Sequence, residues 1–316
     1  MPYTSIVSRT DAASLIPEEA GRDIIRNVIE ESAIMRLARR LPDLSRNQLR
    51  LPVVSALPSA YFVDGDTTLK QTTEVNWSDK YVNVGELACI VPIPEAVLGD
   101  AAYDIWGEIR PLIAEAMGRA FDRAVLYGTN APSTWPTDLV SGATAAGNAI
   151  TEGAAGNDLY DDVMGEEGVI AAVEEDGYLV SGHLAALTMR AKLRACRDDS
   201  QQPIFVRSMQ EGVRYELDGE PLLFARNGAI DAAQSLLVSG DWSQLVYAMR
   251  QDITYKLLDE AVIQDTNGDI QYNLAQQDMV ALRAVMRLGW QVPNPTNRVQ
   301  SSESSRYPFA VLVPAS

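Results

Sequence analysis

Apolar positions along the chain switch between helical and strand spacing, and the switches divide it into segments. Ile24, Ile25, Val28 and Ile29 recur at helical spacing. They predict a helix opened by Ser14 or Pro17, with Glu18 and Glu19 in its first turn. Arg36, Arg39 and Arg40 lie toward its end and Pro42 stops it. The first twelve or so residues are polar and aperiodic, the pattern of an arm ordered only against a neighbour. From Gln48 to Glu86 the spacing changes: Leu49 to Val53, Tyr61-Phe62-Val63 and Lys80 to Val84 read as strand pieces. Between them lie a turn signal, Asp64-Gly65-Asp66-Thr67-Thr68, and a Thr-rich polar stretch reaching Trp77. The reading is a long two-stranded excursion with a polar tip. Isolated hairpins are marginal in water, so it needs a surface of its own domain or of a next subunit.

Leu87 to Pro94 is a short apolar segment ended by two prolines. A helix is then predicted from Tyr103 to Tyr127, with Ile109, Ile113, Met117, Phe121 and Val125 on its apolar face. Asp104 caps it, Gly128 ends it, and Pro111 predicts a kink. It would run roughly 37 Å, enough to cross a domain. Residues 129–157 read as a loop or boundary rich in Gly, Ala, Ser, Thr, Asn and Pro. Helices are expected over Asp158–Glu175 and Leu184–Cys196, with strands at Tyr178–Ser181, Glu220–Ala225 and Gln234–Ser239, an α/β alternation. Strands follow at Gln244–Met249 and Ile253–Leu258, with a turn near Gln251-Asp252, and Asn267-Gly268 signals a hairpin. Met279 to Trp290 alternates with period two, a half-buried strand whose Arg283 and Arg287 point outward to pair with acidic neighbours.

Composition narrows the function. With 47% hydrophobic and 22% charged residues in 316, the chain is an ordinary folded protein of one elaborate or two simpler domains. A net charge of −17 repels phosphates, against a sequence-reading nucleic-acid binder. Cys89 and Cys196 are too few and too far apart for a disulfide framework. The N-terminus lacks signal-peptide character and no apolar run reaches the roughly 18 residues of a membrane span, so the protein is expected to be cytosolic when made.

Catalytic chemistry finds little support. His183 is the single histidine, read as a surface or capping residue before a helix, and no P-loop or dinucleotide fingerprint occurs. Asp265, Asn267 and Asp269 have a calcium loop's alternate spacing, but Gly268 is misplaced and no closing Glu follows, so a hairpin turn is favoured. Asp158, Asp161 and Asp162 sit at a helix start, where acids are favoured anyway. No catalytic, cofactor-binding or metal-binding residue is assigned.

Four stretches in register carry a resemblance. They are Ser14–Pro17 leading into Ile24-Ile25 and Ser32–Leu37; Leu87–Pro94 followed by the helix ending Phe121-Asp122-Arg123-Ala124-Val125-Leu126-Tyr127-Gly128; Gly240-Asp241-Trp242-Ser243-Gln244 with Asp252-Ile253-Thr254; and Asp278 through Leu282-Arg283-Ala284 to Arg287-Leu288-Gly289-Trp290. Together with the order of elements they resemble the major capsid proteins of tailed bacteriophages. The resemblance implies an α+β, Hong Kong 97-type capsid fold. Residues 1–47 would be the N-terminal arm and first helix, and 48–86 an extended β-hairpin loop lying over a neighbouring subunit. Residues 87–137 and 241–316 would form a peripheral domain with a long spine helix, and 138–240 an axial α/β domain meeting its copies at five- and six-fold vertices.

The implied function is a non-enzymatic shell subunit forming pentamers and hexamers around double-stranded DNA, held without sequence-specific binding. Tyr61, Phe62, Asp64, Asp66, Lys70 and Trp77 would be the loop's inter-subunit residues, with Arg283 and Arg287 as inter-subunit charge partners. A portal and a separate scaffolding protein are implied, a decoration protein is compatible, no membrane is involved, and the protein would reside in the virion after assembly in the bacterial host cytoplasm. Some family members cross-link a loop lysine to an asparagine; Lys70, Asn294 and Asn297 lie in the corresponding regions without a residue-by-residue match. The alternatives are an encapsulin-type nanocompartment shell and, from another class, an α/β hydrolytic enzyme.

Overall fold

A computed structural model describes residues 32–63, 69–100, 104–197 and 215–315 and shows a mixed α+β architecture. The chain opens with α1 (Ala33–Leu37), β1 (Arg39–Arg40), β2 (Gln48–Ala56), β3 (Asn76–Asn83), β4 (Gly85–Pro94) and α2 (Glu95–Asp100). The long helix α3 (Ile105–Tyr127) precedes α4 (Leu139–Ala146), β5 (Ala149–Thr151), α5 (Leu159–Met164) and α6 (Val169–Glu175). Next come β6 (Gly182–Ala186), α7 (Met189–Ala195), β7 (Glu216–Leu217), β8 (Glu220–Ala225) and β9 (Leu237–Gly240). The final stretch supplies β10 (Val246–Leu258), β11 (Val262–Gln264), β12 (Ile270–Asn273), β13 (Met279–Gln291) and β14 (Phe309–Val313).

Helix α3 forms where its apolar period predicts it. Asp104 accepts from the Gly107 N–H at 3.1 Å, and Gly128 closes it in the left-handed region at φ 65°. Ile113, Met117, Phe121 and Val125 are its buried stripe, and its 23 residues span about 34 Å. Pro111 falls in the second turn and the helix continues through it.

Two main sheets pack on this helix. The first has the order β1-β10-β13-β4, and in β13 Leu282, Ala284, Met286, Leu288 and Trp290 are buried on one face, as period two requires. Gly289 is forced by contact: a Cβ there would run into the Asn83 carbonyl at the end of β3. The second sheet has the order β5-β14-β9-β6-β8-β7, with all five residues of β6 buried. One core cluster joins α3 to both sheets through Phe121, Leu184, Val238, Trp290 and Phe309. Trp242 ties the second sheet together: its indole N–H donates to the Gly182 carbonyl at 2.9 Å and its ring stands edge-on to Phe309 at 5.1 Å. Asp241 accepts from the Ser243 N–H at 3.0 Å and holds the tight turn that presents that ring, so the Gly240–Gln244 stretch has a packing role.

Several sequence expectations need correction. The helix expected to end at Pro42 closes at Leu37; Arg39 and Arg40 instead form β1, parallel to Val246 and Tyr247, and residues 14–31 lie outside the described residues. Tyr61 to Val63 is not a strand. The stretch 129–157 contains α4 and β5, because its alanines pack against β14 while Asp138 caps the helix from the Ser141 N–H at 2.8 Å. The helix expected over 158–175 is broken at Gly165 and Gly168, both pressed against the Asp161 carbonyl. Strand β6 lies at 182–186 rather than 178–181, and α7 begins at Met189: a fully buried strand has no alternation to betray it. The turn expected at Gln251-Asp252 is an irregularity within a continuous β10. Phe309 to Val313 pairs with β5 and β9 of the second sheet.

His183 also departs from expectation. It lies in β6, fully buried, rather than at the surface. Nε2 is 3.1 Å from the Leu217 carbonyl, which can only accept, so the proton sits on Nε2 and Nδ1 accepts from the Ser239 hydroxyl at 2.8 Å. Burial therefore holds the ring neutral, lowering its pKa from 6.5 to about 4, against the pull of the Leu217 carbonyl and Asp218. A depressed histidine leaves stability whole above pH 6.5 and removes it as pH falls toward 4, where the unfolded chain alone binds the proton. The full loss is on the order of 3 kcal/mol. In acid unfolding titrations of the subunit, His183→Gln should flatten this part of the slope; identical slopes would show that the ring titrates freely.

Candidate assembly surface

The hairpin β2–β3 is a sheet of its own, paired from Gln48↔Asn83 to Val54↔Trp77 in one register and shifted at the last rung, Ala56↔Asn76. Its base packs into the body of the chain. Val82 is fully buried against Val246 and Ala248, with Leu41, Leu44, Leu49 and Leu51 around them. The segment after β13 fixes the hairpin's direction. There the Thr296 N–H donates to the Val54 carbonyl at 3.0 Å, Arg298 donates to the Pro58 carbonyl at 2.8 Å, and Lys80 pairs with Glu303 at 2.5 Å. That segment is organised in turn by Arg306, 2% exposed, whose guanidinium donates to the Gln300 carbonyl at 2.7 Å and the Asn294 carbonyl at 3.1 Å.

Beyond Pro58 the side chains lose cover. Phe62 is 105% exposed, Leu69 86% and Trp77 67%, while Tyr61 is exposed and, among the described residues, its hydroxyl bonds to the Gln71 backbone. Large apolar side chains left exposed along a thin ribbon mark an interaction surface. Lys70 is exposed on the same segment, and Asp64 and Asp66 lie outside the described residues. The two arginines separate: Arg283 is exposed, whereas Arg287 is committed within the chain to Glu86 on β4, at 2.5 and 2.8 Å. The intrachain pairing satisfies the charge for which a neighbouring acid was expected.

Both candidate cross-linking asparagines are occupied. Asn294 accepts from Tyr178 at 2.9 Å and Arg306 at 3.1 Å and donates to the Arg306 carbonyl at 2.7 Å. Asn297 donates to the Asp176 carbonyl at 2.6 Å and accepts from Val299 and Gln300. Asp265 accepts from the Asn267 and Asp269 N–H groups, each at 2.9 Å, and so closes the β11–β12 turn. Among the described residues, no group of three or more His, Cys, Asp or Glu is arranged to hold a metal ion, and no helix is long and apolar enough to cross a membrane.

One feature was missed in the sequence. Asp122, on α3, is fully buried and accepts from the Ser32 hydroxyl at 2.5 Å, the Ala33 and Ile34 N–H groups at 2.9 and 3.3 Å, and Asn227 at 3.0 Å. Burial raises its carboxyl above the usual range, while these four donors pull it back. The signal lies in Ala114, Gly118 and Asp122 at four-residue spacing, two small residues and an acid on one side of the helix that α1 contacts.

A family model described as the phage capsid family matches residues 12–297. The major capsid protein of Staphylococcus phage 80alpha is 25% identical over 296 residues, covering 92% of this chain and 82% of that protein. A solved structure from Microbacterium phage Oxtober96 is 35% identical with a TM-score of 0.83, covering 98% of this chain and all of that one. One from Mycobacterium phage Bobi is 30% identical with a TM-score of 0.82, covering 99% and 100%.

Proposed function

The chain belongs to the phage capsid family, and from that premise we propose that it is the major capsid protein of a tailed bacteriophage, one of many copies forming an icosahedral shell. The observation that carries the reading is the hairpin: clamped at its base, uncovered at its tip, and lined with apolar side chains that a single copy leaves in water. The family is structural, and the relatives favour a virion shell over a nanocompartment.

In finer detail we read the fold as the Hong Kong 97 type. The hairpin is the extended loop, α3 the spine helix, the four-stranded sheet the peripheral domain and the six-stranded sheet the axial domain. The C-terminal strand is assigned to the axial sheet it pairs with. Subunits group as pentamers and hexamers in the host cytoplasm, with a portal and a separate scaffolding protein, and a decoration protein is compatible with the surface. The net charge of −17 suits a wall that encloses double-stranded DNA without gripping it.

Negative-stain electron microscopy with size exclusion tests this. Closed polyhedral shells or five- and six-fold capsomers are expected, alone or with a scaffold. A subunit that stays monomeric across concentration and salt, with a scaffold present, overturns the reading; shells filled with a cargo enzyme instead of DNA point to the compartment.

A further inference from the structure

The sequence holds two Asn-Gly pairs, Asn227-Gly228 and Asn267-Gly268, and the fold treats them in opposite ways. Asparagine followed by glycine is chemically labile, because the glycine main-chain nitrogen can approach the asparagine side-chain carbon with no Cβ in its path. Asn227 is 6% exposed and fully engaged. Its amide donates to Asp122 at 3.0 Å, and its oxygen accepts from the Ala229 N–H at 2.9 Å. Its side-chain carbon cannot turn toward Gly228 unless the core around Asp122 opens.

Asn267 stands at the β11–β12 turn, exposed like Thr266, Gly268 and Asp269 beside it. Its main-chain N–H donates to Asp265 Oδ1 at 2.9 Å, while its side-chain amide has no hydrogen-bond partner among the described residues. Gly268 lies in the left-handed region at φ 91°, and a Cβ built on it would meet nothing within 4 Å. Solvent therefore surrounds the reacting pair.

We propose that Asn267 is a site of spontaneous deamidation, an age mark written on the β11–β12 turn after synthesis. The Gly268 nitrogen gives up its proton to hydroxide and attacks Cγ of Asn267. The new N–Cγ bond closes a five-membered imide as the Cγ–Nδ2 bond breaks, and Nδ2 leaves as ammonia with a proton taken from water. Water then opens the imide at either carbonyl. Opening at Cγ leaves aspartate; opening at the main-chain carbon leaves isoaspartate, whose backbone runs through the former side chain. One water enters and one ammonia leaves, with no oxidant, reductant or enzyme.

The turn itself is the gate. The Gly268 N–H donates to the Asp265 carbonyl at 3.1 Å, and Asp265 Oδ1 also accepts from the Asp269 N–H at 2.9 Å, so the attacking nitrogen is released only when the turn opens. Opening is easy here. Strands β11 and β12 form a separate sheet of three and four residues, and so small a hairpin is marginal in water. Each event sets a third carboxylate between Asp265 and Asp269, and the isoaspartyl product also lengthens the turn. In a shell of many copies the converted fraction grows with time since synthesis.

Peptide mapping by mass spectrometry of the full-length protein, held native in warm, mildly alkaline buffer, tests the site. The peptide carrying Asn267 should convert to its aspartate and isoaspartate forms roughly tenfold or more faster than the peptide carrying Asn227. Equal rates, or no conversion at Asn267, overturn the proposal. In urea the two rates should converge, since each asparagine then meets its own glycine without the fold; a gap that persists there overturns the role given to the fold. Asp265→Ala removes the acceptor of two turn N–H groups and should speed conversion at Asn267 roughly fivefold or more. An unchanged or slower rate in that variant overturns the turn as the gate.

Discussion

Removing Ser59 to Asn76 and joining Pro58 to Trp77 leaves a subunit that folds and builds no shells. The folded state does not depend on this segment: its described side chains are exposed or half-buried, hydrogen bonds such as Ser59 to Thr73 and Tyr61 to Gln71 stay within it, and its removal takes only the terminal Ala56↔Asn76 rung from the ladder. Rungs from Gln48↔Asn83 to Val54↔Trp77 survive, as does the clamp of Thr296 and Arg298 on Val54 and Pro58. Assembly, however, loses its longest reach. A loop spanning a neighbour buries on the order of 1,500 Å² in the assembled state, a full-sized interface repeated at every subunit. Shell yield should therefore fall below detection by electron microscopy while the circular dichroism spectrum and monomer elution persist. Normal shells from the deletion would remove the extended-loop reading.

Asp122→Ala should be the most damaging single substitution in the subunit itself, destabilising it by about 3–5 kcal/mol. The carboxylate is a pure acceptor surrounded by four donors, and its loss strands the Ala33 and Ile34 N–H groups at a buried helix start. Asp122→Asn is the sharper test. Its amide would turn two N–H bonds toward groups that themselves donate, so it should lose nearly as much despite equal size. Urea unfolding of both variants measures this; an asparagine variant as stable as the natural chain would show that charge desolvation, not acceptor geometry, governs the site.

Legibility in the sequence followed periodicity. Helix α3 and strand β13 are half-buried, so each wears its period on its surface, and both were placed to within two residues. The hairpin was legible because its strands alternate and its tip is polar, although Tyr61 to Val63 has strand chemistry without a partner. The six-stranded sheet was blurred for the opposite reason. Gly182 to Ala186 is buried on both faces, and α4 is written in the small residues that also write loops. Pairings distant in sequence, such as β14 beside β5 or Arg287 with Glu86, leave no local trace.

The position of β14 sets the timetable of synthesis. This strand lies between β5 and β9, hydrogen-bonded to both, and its buried residues Phe309 to Leu312 are translated some seventy residues after β9. At bacterial elongation speeds the ribosome leaves β9 with an open edge for several seconds, exposing Val238 and Leu237 until the final strand arrives. A nascent chain is thus kept incomplete while its hairpin is already out and able to touch other copies. That interval is when a chaperone has most to offer, and a polypeptide stopped short of Phe309 would keep the sticky edge for good and be open to degradation before it could spoil a lattice.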